Sequence, residues 1–261
     1  MNGWRALILV WLVAAATMLA GWRWQRRHGN AGIVDVLWAA CLGFGATLVA
    51  ALGRGSVAPR ALLAILAGGW GLRLAHHLHA RLRREGEDGR YRELRAHWQG
   101  AEWHWLVFFQ VQALSVAILA LPFVAVAANR NATTPWLALG TLIWLLAVIG
   151  EAAADAQLAR FRADPAHRGH TCRRGLWRYS RHPNYFFEWL HWFAYVALAA
   201  GSPLGGLAWI GPLVMWLFLR YLSGIPWAEA QALRTRGDDY RAYQRTTSML
   251  IPWFPKERKL Q

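Results

Sequence analysis

Cysteine is scarce in this chain, which has only Cys41 and Cys172 among its 261 residues. One lies within an apolar stretch and the other in a basic segment, so neither a disulfide framework nor a thiolate metal site is indicated. No GxGxxG, Walker or HExxH motif occurs, and this excludes a soluble nucleotide-binding fold. No repeat of fixed period and no low-complexity tract is visible.

Acidic residues are also few, with 14 Asp and Glu against 29 Lys and Arg, for a net charge of +15. Such a charge is common in nucleic-acid-binding proteins, but here the basic residues border apolar stretches instead of forming a soluble basic module. Anionic lipid headgroups and a phosphate-bearing ligand are therefore the expected partners, and nucleic acid is not. No obligatory protein partner is evident.

What the chain has in excess is apolar sequence, since 56% of its residues are hydrophobic and 18 are Trp. This usage is typical of membrane proteins. A transmembrane helix needs about 20 apolar residues. The sequence predicts an all-α protein with seven such spans, at roughly residues 4–22, 32–52, 60–80, 103–128, 134–155, 185–201 and 204–223.

The arginines fall on alternate sides of these spans. Of the 29 Lys and Arg, 24 lie on one side, Arg73 lies within a span, and the opposite side has only Arg5, Arg54, Arg60 and Arg130. The positive-inside rule then predicts an outside N-terminus and a cytoplasmic C-terminal tail. The first span is expected to be retained, because its flanking charges are opposite to those of a signal peptide.

Acidic side chains at the edge of hydrocarbon are costly and call for partners. Glu151, Asp155, Leu158 and Arg162 are spaced by four, three and four residues, which stacks them on one face of a helix. One interpretation is a salt bridge between helices. The other is a wall for a polar ligand, in which carboxylates accept hydroxyl or amide protons and arginine meets phosphate.

The densest motif runs from Gly175 to Glu188 and reads GLWRYSRHPNYFFE. Proline at position 183 suits the first turn of a helix. The free amides of that turn, together with Arg174, Arg178 and Arg181, predict an anion site. Asn184, Glu188 and Trp192 follow at four-residue spacing and form a second polar stripe. Two such stripes fit an elongated ligand with its phosphates at the membrane surface.

Five segments resemble bacterial members of the steroid 5α-reductase superfamily, of the type catalogued as domain of unknown function 1295. They are GLWRYSRHPNYFFEW, EAAADAQLARFRADP, WGLRL, EDGRYRELR and DDYRAYQRTTSMLIPWF. The resemblance covers nearly the whole chain. It implies one membrane domain over residues 1–261 that binds NADPH from the cytosol and reduces the C=C bond of a 3-oxo-Δ4 steroid or similar enone lipid.

The same resemblance implies a division of labour along the chain, with substrate-side helices in residues 1–128 and cofactor-binding elements in residues 134–261. A bacterial inner-membrane location with the cofactor site facing the cytoplasm is expected. The implied cofactor contacts are Arg73, Glu151, Asp155, Leu158, Arg162, Arg174, Arg178, Tyr179, Arg181, His182, Asn184, Tyr185, Glu188, Trp192, Arg220, Tyr240 and Tyr243.

On the substrate side the chain departs from the steroid enzymes, which use a glutamate on the second helix and a tyrosine on the third. The implied equivalents are Asp35 and Trp70, with Trp38 also lining the substrate site. An aspartate kept protonated by an apolar pocket can donate to a ketone. Tryptophan donates a hydrogen bond but supplies no proton, so His76, His77 or a water is the alternative proton source.

Three other functions fit parts of the pattern. Isoprenylcysteine and phospholipid methyltransferases share the Arg-His-Pro-x-Tyr turn and bind S-adenosylmethionine, and they are the leading alternative. Ten histidines suggest a di-iron oxygenase, but their clusters do not form repeated paired boxes, so no metal site is expected. A structural lipid-binding protein would explain the Trp content but not the carboxylates within the membrane.

Overall fold

The part of the chain that the structure, a computed structural model, describes is all-α. That part comprises residues 3–222 and 224–256, apart from the side chain of Glu85. It has no β-strand. Its helices are α1 Gly3–His28, α2 Ile33–Leu52, α3 Val57–Leu63, α4 Gly69–Glu85, α5 Gly89–His97, α6 Glu102–Leu119, α7 Leu121–Ala127, α8 Thr134–Ala163, α9 Pro183–Leu198, α10 Ile210–Leu217 and α11 Ile225–Thr246.

Six helical segments of the described residues are long and apolar enough to cross a membrane, which indicates an integral membrane protein. They are Gly3–His28, Ile33–Leu52, Val57–Arg84, Glu102–Ala127, Thr134–Ala163 and Gly205–Thr246. They match six of the seven predicted spans. The span predicted at 185–201 corresponds to α9, which has 16 residues and reaches only about 24 Å.

The segment 205–246 is apolar only in its first part. The turn Gly205–Trp209, α10 and a π-helical turn at Phe218–Leu222 form that part. From residue 225 onward, α11 carries seven charged residues and lies outside the span. The predicted end of this span at residue 223 and the last five residues of the predicted tail lie outside the described residues.

Helix α1 has one face that packs against the protein and one face that exposes apolar side chains. Its buried residues, Ala6, Val10, Ala14, Met18, Gly21 and Gln25, are three or four positions apart and form one stripe. Its other face exposes large apolar side chains such as Ile8, Trp11 and Leu12. Apolar area exposed on this scale is stable against hydrocarbon and not against water.

Helices α2 and α4 pack backbone to backbone because glycine occupies both sides of their contact. A Cβ atom on Gly71 would lie 2.6 Å from the Gly43 Cα and 2.7 Å from the Gly43 amide nitrogen. Small residues permit this close approach, which drives helix association in membranes. The contact fixes Trp70, the neighbour of Gly71, in a position where it is only 2% exposed.

Two residues interrupt helices where their backbone chemistry requires it. Pro122 lies in the first turn of α7, directly after α6 ends at Leu119, and this is the break that proline favours. Gly237 has φ 48° and ψ −120° inside α11, a conformation that glycine adopts readily. After this kink Tyr240 and Tyr243 pack against Ala232.

The chain contains two compact units. Unit 1 comprises Met1–Thr141 and Tyr195–Gly211, and unit 2 comprises Leu142–Ala194 and Pro212–Gln261. In unit 1, α1 packs against α2 and α6, and α2 packs against α4. Unit 2 holds α8 from Leu142 onward, α9 up to Ala194, α10 from Pro212 onward, and α11. Asp35, Trp38, Trp70 and Arg73 belong to unit 1, and the other predicted site residues belong to unit 2.

Gly71→Ala is expected to lower the stability of the protein by about 1–3 kcal/mol, because the added methyl group meets backbone atoms that cannot move aside. The measurement is the melting temperature of the detergent-solubilised protein. Gly69→Ala is the matched control, since a Cβ atom at Gly69 meets nothing within 4 Å. Equal melting temperatures for the two variants would contradict the close α2–α4 contact.

Candidate functional site

The two predicted polar stripes lie side by side in unit 2. The Asn184 side-chain amide on α9 donates a hydrogen bond to the Asp155 carboxylate on α8, at 3.1 Å. Nearby, the Trp177 indole donates to the Ala154 carbonyl at 2.9 Å. Both residues of the Asp155–Asn184 pair keep some exposure, so the pair is accessible to a ligand.

The two stripes differ in how exposure changes along their helices. On α8, Asp155 and Arg162 are exposed, and Glu151 and Leu158 are half-buried. On α9, Asn184 is half-buried, the Glu188 side chain is 16% exposed, and Trp192 is fully buried. The stripe on α9 therefore runs from a half-buried start toward the buried interior, whereas exposure alternates along the stripe on α8.

Helix α9 begins at Pro183, as the sequence predicts. The buried Ser180 hydroxyl accepts from the His182 amide at 3.1 Å and donates to the Leu250 carbonyl at 2.7 Å. The Tyr243 hydroxyl donates to the Trp177 carbonyl and lies 3.0 Å from the Ser180 carbonyl oxygen. The chain before α9 is therefore fixed by hydrogen bonds to the C-terminal segment.

A single carboxylate, Glu229 on α11, organises this region. It accepts from Arg181 Nε at 2.7 Å, from Gln244 Nε2 at 2.8 Å and from the Tyr240 hydroxyl at 3.3 Å, and it lies 3.3 Å from His182 Nε2. We refer to these five residues as the Glu229 cluster. The sequence analysis missed Glu229, although a lone acid in the first turns of an otherwise apolar helix start is a signal for a buried partner.

Arg181 is mostly buried and is hydrogen-bonded through its guanidinium group. Besides Glu229, its guanidinium donates to the carbonyls of Gln244 and Thr247, at 3.0 and 2.8 Å, and its side chain is only 10% exposed. These contacts give Arg181 a structural role, and its predicted role as a cofactor contact stays a prediction. The same holds for His182, Tyr240 and Tyr243, which are all buried.

Two residues of the Glu229 cluster, Glu229 and His182, have pKa values below their usual ones. Burial alone would raise the pKa of Glu229, but hydrogen bonds from His182 and Arg181 and the arginine charge outweigh it and bring the pKa to about 2. Burial lowers the pKa of His182, against the opposing effect of Glu229. The cluster therefore contains a carboxylate, a guanidinium and a neutral imidazole at pH 7.

The remaining basic residues of unit 2 divide into paired and unpaired groups. Arg173 forms a salt bridge with Asp239 at 2.6 Å. Arg162, Arg174 and Arg178 are exposed, and none of them forms a salt bridge with a carboxylate of the described residues. These three arginines keep their charge available for an anion.

Arg236 on α11 is the residue that sequence analysis missed most completely. Its Nε is buried without a hydrogen-bond partner among the described residues. Burial lowers its pKa most, and the like charge of Arg162 lowers it further. Two neighbouring guanidiniums, one with an unsatisfied donor, form a site that an anion would stabilise. No motif or spacing around Gly237 in the sequence indicates this role of Arg236.

Other predicted cofactor residues take varied positions. Tyr179 is exposed and follows Arg178, whose guanidinium lies 6.0 Å from its ring. Tyr185 stacks on His182 with 5.5 Å between ring centroids. The Arg220 guanidinium lies 4.8 Å from the Tyr221 ring. Arg73 is exposed on α4 of unit 1.

In unit 1 the predicted substrate residue Asp35 accepts two hydrogen bonds. The Tyr91 hydroxyl donates to it at 2.6 Å and Arg90 at 3.3 Å. Arg90 also donates to Asp88. Burial and the charge of Asp35 raise the pKa of Tyr91 well above its usual value, so the tyrosine remains a donor. Asp35 thus lies between a hydroxyl and a guanidinium, and its predicted role as a neutral acid stays a prediction.

The two predicted tryptophans of the substrate side are both partly or fully enclosed. The Trp38 indole donates to the Ser115 hydroxyl at 2.9 Å, and this hydroxyl donates to the Gln112 carbonyl at 2.8 Å. The hydrogen-bonding group of Trp38 is thus committed to α6, and it can offer a lipid only its ring. Trp70 is buried next to the glycine contact of α2 and α4.

Comparison with known protein families assigns the chain to one of them. A family model described as "Protein of unknown function (DUF1295)" matches residues 21–247. The chain belongs to this family. The family is part of the steroid 5α-reductase-like superfamily, which confirms the resemblance found in the sequence and indicates a membrane enzyme. No curated protein and no solved structure matches the chain.

Within residues 3–222 and 224–256, no three His, Cys, Asp or Glu side chains come together in a way that could hold a metal ion. His182 lies 3.3 Å from the Glu229 carboxylate. His191 Nδ1 lies 2.9 Å from the Glu188 carbonyl and 3.9 Å from the Glu188 carboxylate.

Glu229→Gln is expected to destabilise the protein by about 2 kcal/mol at pH 7, since Arg181 loses its counter-ion in a mostly buried position. Because the pKa of Glu229 falls from 4.5 to about 2 on folding, its contribution is complete above pH 4.5 and is lost as the pH falls toward 2. The variant should therefore lose stability less steeply than wild type over this range.

The measurement is the melting temperature of the detergent-solubilised protein at pH 3 to 7. Asp238→Asn is the matched control on the same helix, because the Asp238 side chain is 94% exposed where it pairs with Arg241 and such pairs contribute little. If Glu229→Gln and Asp238→Asn melt alike at pH 7, Glu229 does not organise the region.

Proposed function

We propose that this protein is an NADPH-dependent reductase that saturates the conjugated C=C bond of a 3-oxo-Δ4 steroid or a similar enone lipid. The observation that carries the proposal is the pair Arg162 and Arg236 of unit 2. Their charges act on each other, and the buried Arg236 Nε has no partner among the described residues. Membership of the steroid 5α-reductase-like superfamily supports the reaction class.

The arginines suit the phosphates of NADPH. A guanidinium binds phosphate oxygens through two parallel N–H donors, which an ammonium cannot do. Arg162 and Arg236 would hold one phosphate, and the exposed Arg174 and Arg178 are available for others. A phosphate would neutralise the two like charges of Arg162 and Arg236, so this site favours a polyanion over a neutral ligand.

The polar stripes suit the uncharged part of the same cofactor. Asp155 accepts from hydroxyl groups, and Asn184 both donates and accepts. Glu151 and Glu188 continue this set toward the buried Trp192. In this proposal the Asp155–Asn184 hydrogen bond opens to admit a ribose hydroxyl or carboxamide, and Leu158 and Trp192 supply apolar contacts. The bound cofactor would supply a hydride to the enone.

On the substrate side, the residues of unit 1 would bind the enone. The Trp70 indole can donate a hydrogen bond to the ketone oxygen, where negative charge develops during reduction. The Trp38 ring would contact the lipid. Asp35 enters the proposal as an acceptor that orients Tyr91, since its partners Tyr91 and Arg90 are both donors.

The topology proposed for this reaction has seven spans, with α9 as a short sixth span. Its 16 residues fall short of the roughly 30 Å hydrocarbon core, and a thinner local bilayer accommodates such a helix. With seven spans the N-terminus lies outside and the arginine-rich loops face the cytoplasm. In a bacterial inner membrane this orientation gives the site access to cytoplasmic NADPH.

The charge of the site distinguishes NADPH from S-adenosylmethionine, the cofactor of the alternative methyltransferase function. S-adenosylmethionine carries a sulfonium cation and no phosphate. Arg162, Arg174, Arg178 and Arg236 would repel the cation and gain nothing from the missing phosphate. The arginines therefore favour the reductase.

Arg162→Gln and Arg236→Gln are each expected to weaken NADPH binding about tenfold or more, since a hydrogen bond to a charged group contributes about 1.5–3 kcal/mol. The measurement is isothermal titration calorimetry of the purified full chain. Arg160→Gln is the matched control, because residue 160 lies two positions from Arg162 and hence on another face of α8.

Asp35→Asn serves as a second control. It lies in unit 1 and should leave the NADPH affinity unchanged while it lowers turnover. Wild-type NADPH affinity in both arginine variants would contradict the proposed phosphate site. Tight binding of S-adenosylmethionine, with none of NADPH, would replace the reductase by the methyltransferase.

A further inference from the structure

Unit 1 contains an open cleft of about 480 Å³ that the proposed reaction does not use. Its walls include Ala6 of α1, Val49 of α2 and Val124 of α7. At its edge lie Arg54 and Arg130. The cleft thus combines apolar walls with two guanidiniums, and its volume is within the range of ligand sites.

The cleft lies where helices of unit 1 end, which places it at a membrane surface. Trp4 is in the first turn of α1, Arg54 follows the end of α2, and Arg130 follows the end of α7. Asp35 lies in the first turn of α2. At 1.5 Å per residue, the helix separates Asp35 from Arg54 by roughly 28 Å.

No acidic residue of unit 1 lies near this end. Its Asp and Glu residues occur at position 35 and between positions 85 and 102. Asp35, Glu87, Asp88 and Glu102 form salt bridges with arginines of α4, α5 or α1. Arg54 and Arg130 are exposed and form no salt bridge with a described carboxylate. Two positive charges at one cleft therefore lack an anion.

The arginines are held close together by the backbone. Arg130 Nε donates to the Arg54 carbonyl at 3.3 Å. The Gly55 amide donates to the Ala127 carbonyl at 2.9 Å, and the Ser56 amide to the Asn129 carbonyl at 2.7 Å. These bonds join the segment after α2 to the segment after α7, so the rim of the cleft is formed before any ligand binds.

Arg60, another cation at this end of unit 1, has a different function. Its guanidinium donates to the carbonyls of Ala50 and Ala51, at 2.7 and 3.0 Å, and so satisfies the C-terminal carbonyls of α2. Arg54 makes no such side-chain bond within the described residues. The comparison separates an arginine that caps a helix from one whose side chain makes no hydrogen bond within the described residues.

We propose that this cleft binds an anionic glycerophospholipid of the surrounding leaflet, with its phosphate between Arg54 and Arg130 and the first carbons of an acyl chain against Val49 and Val124. The exposed Trp4 ring at the edge suits the headgroup region, where indoles accumulate. Charge complementarity selects an anionic lipid over a zwitterionic one, because the two arginines leave a net positive charge for the headgroup to neutralise.

The test measures the melting temperature of the full chain in a non-ionic detergent as phosphatidylglycerol is added. Wild type should show a saturable rise. In the double variant Arg54→Gln/Arg130→Gln, the half-saturating concentration should increase about thirtyfold, and in Arg54→Gln alone about fivefold. The single variant removes no described hydrogen bond, so it remains informative if the double variant folds poorly.

Arg5→Gln is the matched control, since Arg5 is exposed beside Trp4 and is not part of the cleft lining. It should respond to phosphatidylglycerol as wild type does. An equal response of wild type to phosphatidylcholine would overturn the proposal, as would an unchanged response in Arg54→Gln. Equal stabilisation by glycerol 3-phosphate would also overturn it, because the cleft would then recognise free phosphate and not a lipid.

Discussion

The hydrogen bond between Asn184 and Asp155 holds the polar stripes of α8 and α9 next to each other in unit 2. Polar side chains in an apolar environment are stable only with partners. The pair satisfies part of this need and remains accessible, so it can exchange its internal bond for bonds to a ligand. The proposed cofactor site depends on this arrangement, because the polar groups of both stripes must lie side by side to contact one cofactor whose phosphates would meet the arginines.

Carboxylates decide which arginines are structural and which are free to bind. Glu229 occupies Arg181 and Asp239 occupies Arg173, and both pairs fix the C-terminal segment to the chain before α9. Arg162 has no such partner within the described residues, and its charge adds to the burial that lowers the pKa of Arg236. The arginines of unit 2 therefore fall into two sets. One set is paired with carboxylates and has a structural role, and the other has no carboxylate partner among the described residues.

Hydropathy and spacing were sufficient to predict the helical class, six apolar spans, the start of α9 at Pro183 and the adjacency of the two stripes. They placed the end of the sixth span at residue 201, three residues past the end of α9 at Leu198, because the apolar run continues there. They also missed Glu229 and Arg236, whose roles depend on partners far away in sequence. The family, which the residues of α8 and α9 already indicated, is confirmed over residues 21–247.

The central claim is that residues of unit 2 hold NADPH for reduction of an enone lipid. The most direct measurement incubates the purified full chain with NADPH deuterated at the transferable position of nicotinamide C4, together with a 3-oxo-Δ4 steroid, and analyses the lipid by mass spectrometry. The account predicts a product reduced at the C=C bond that carries one deuterium. Oxidation of NADPH without a deuterated lipid, or no consumption of NADPH with any enone lipid, would contradict it.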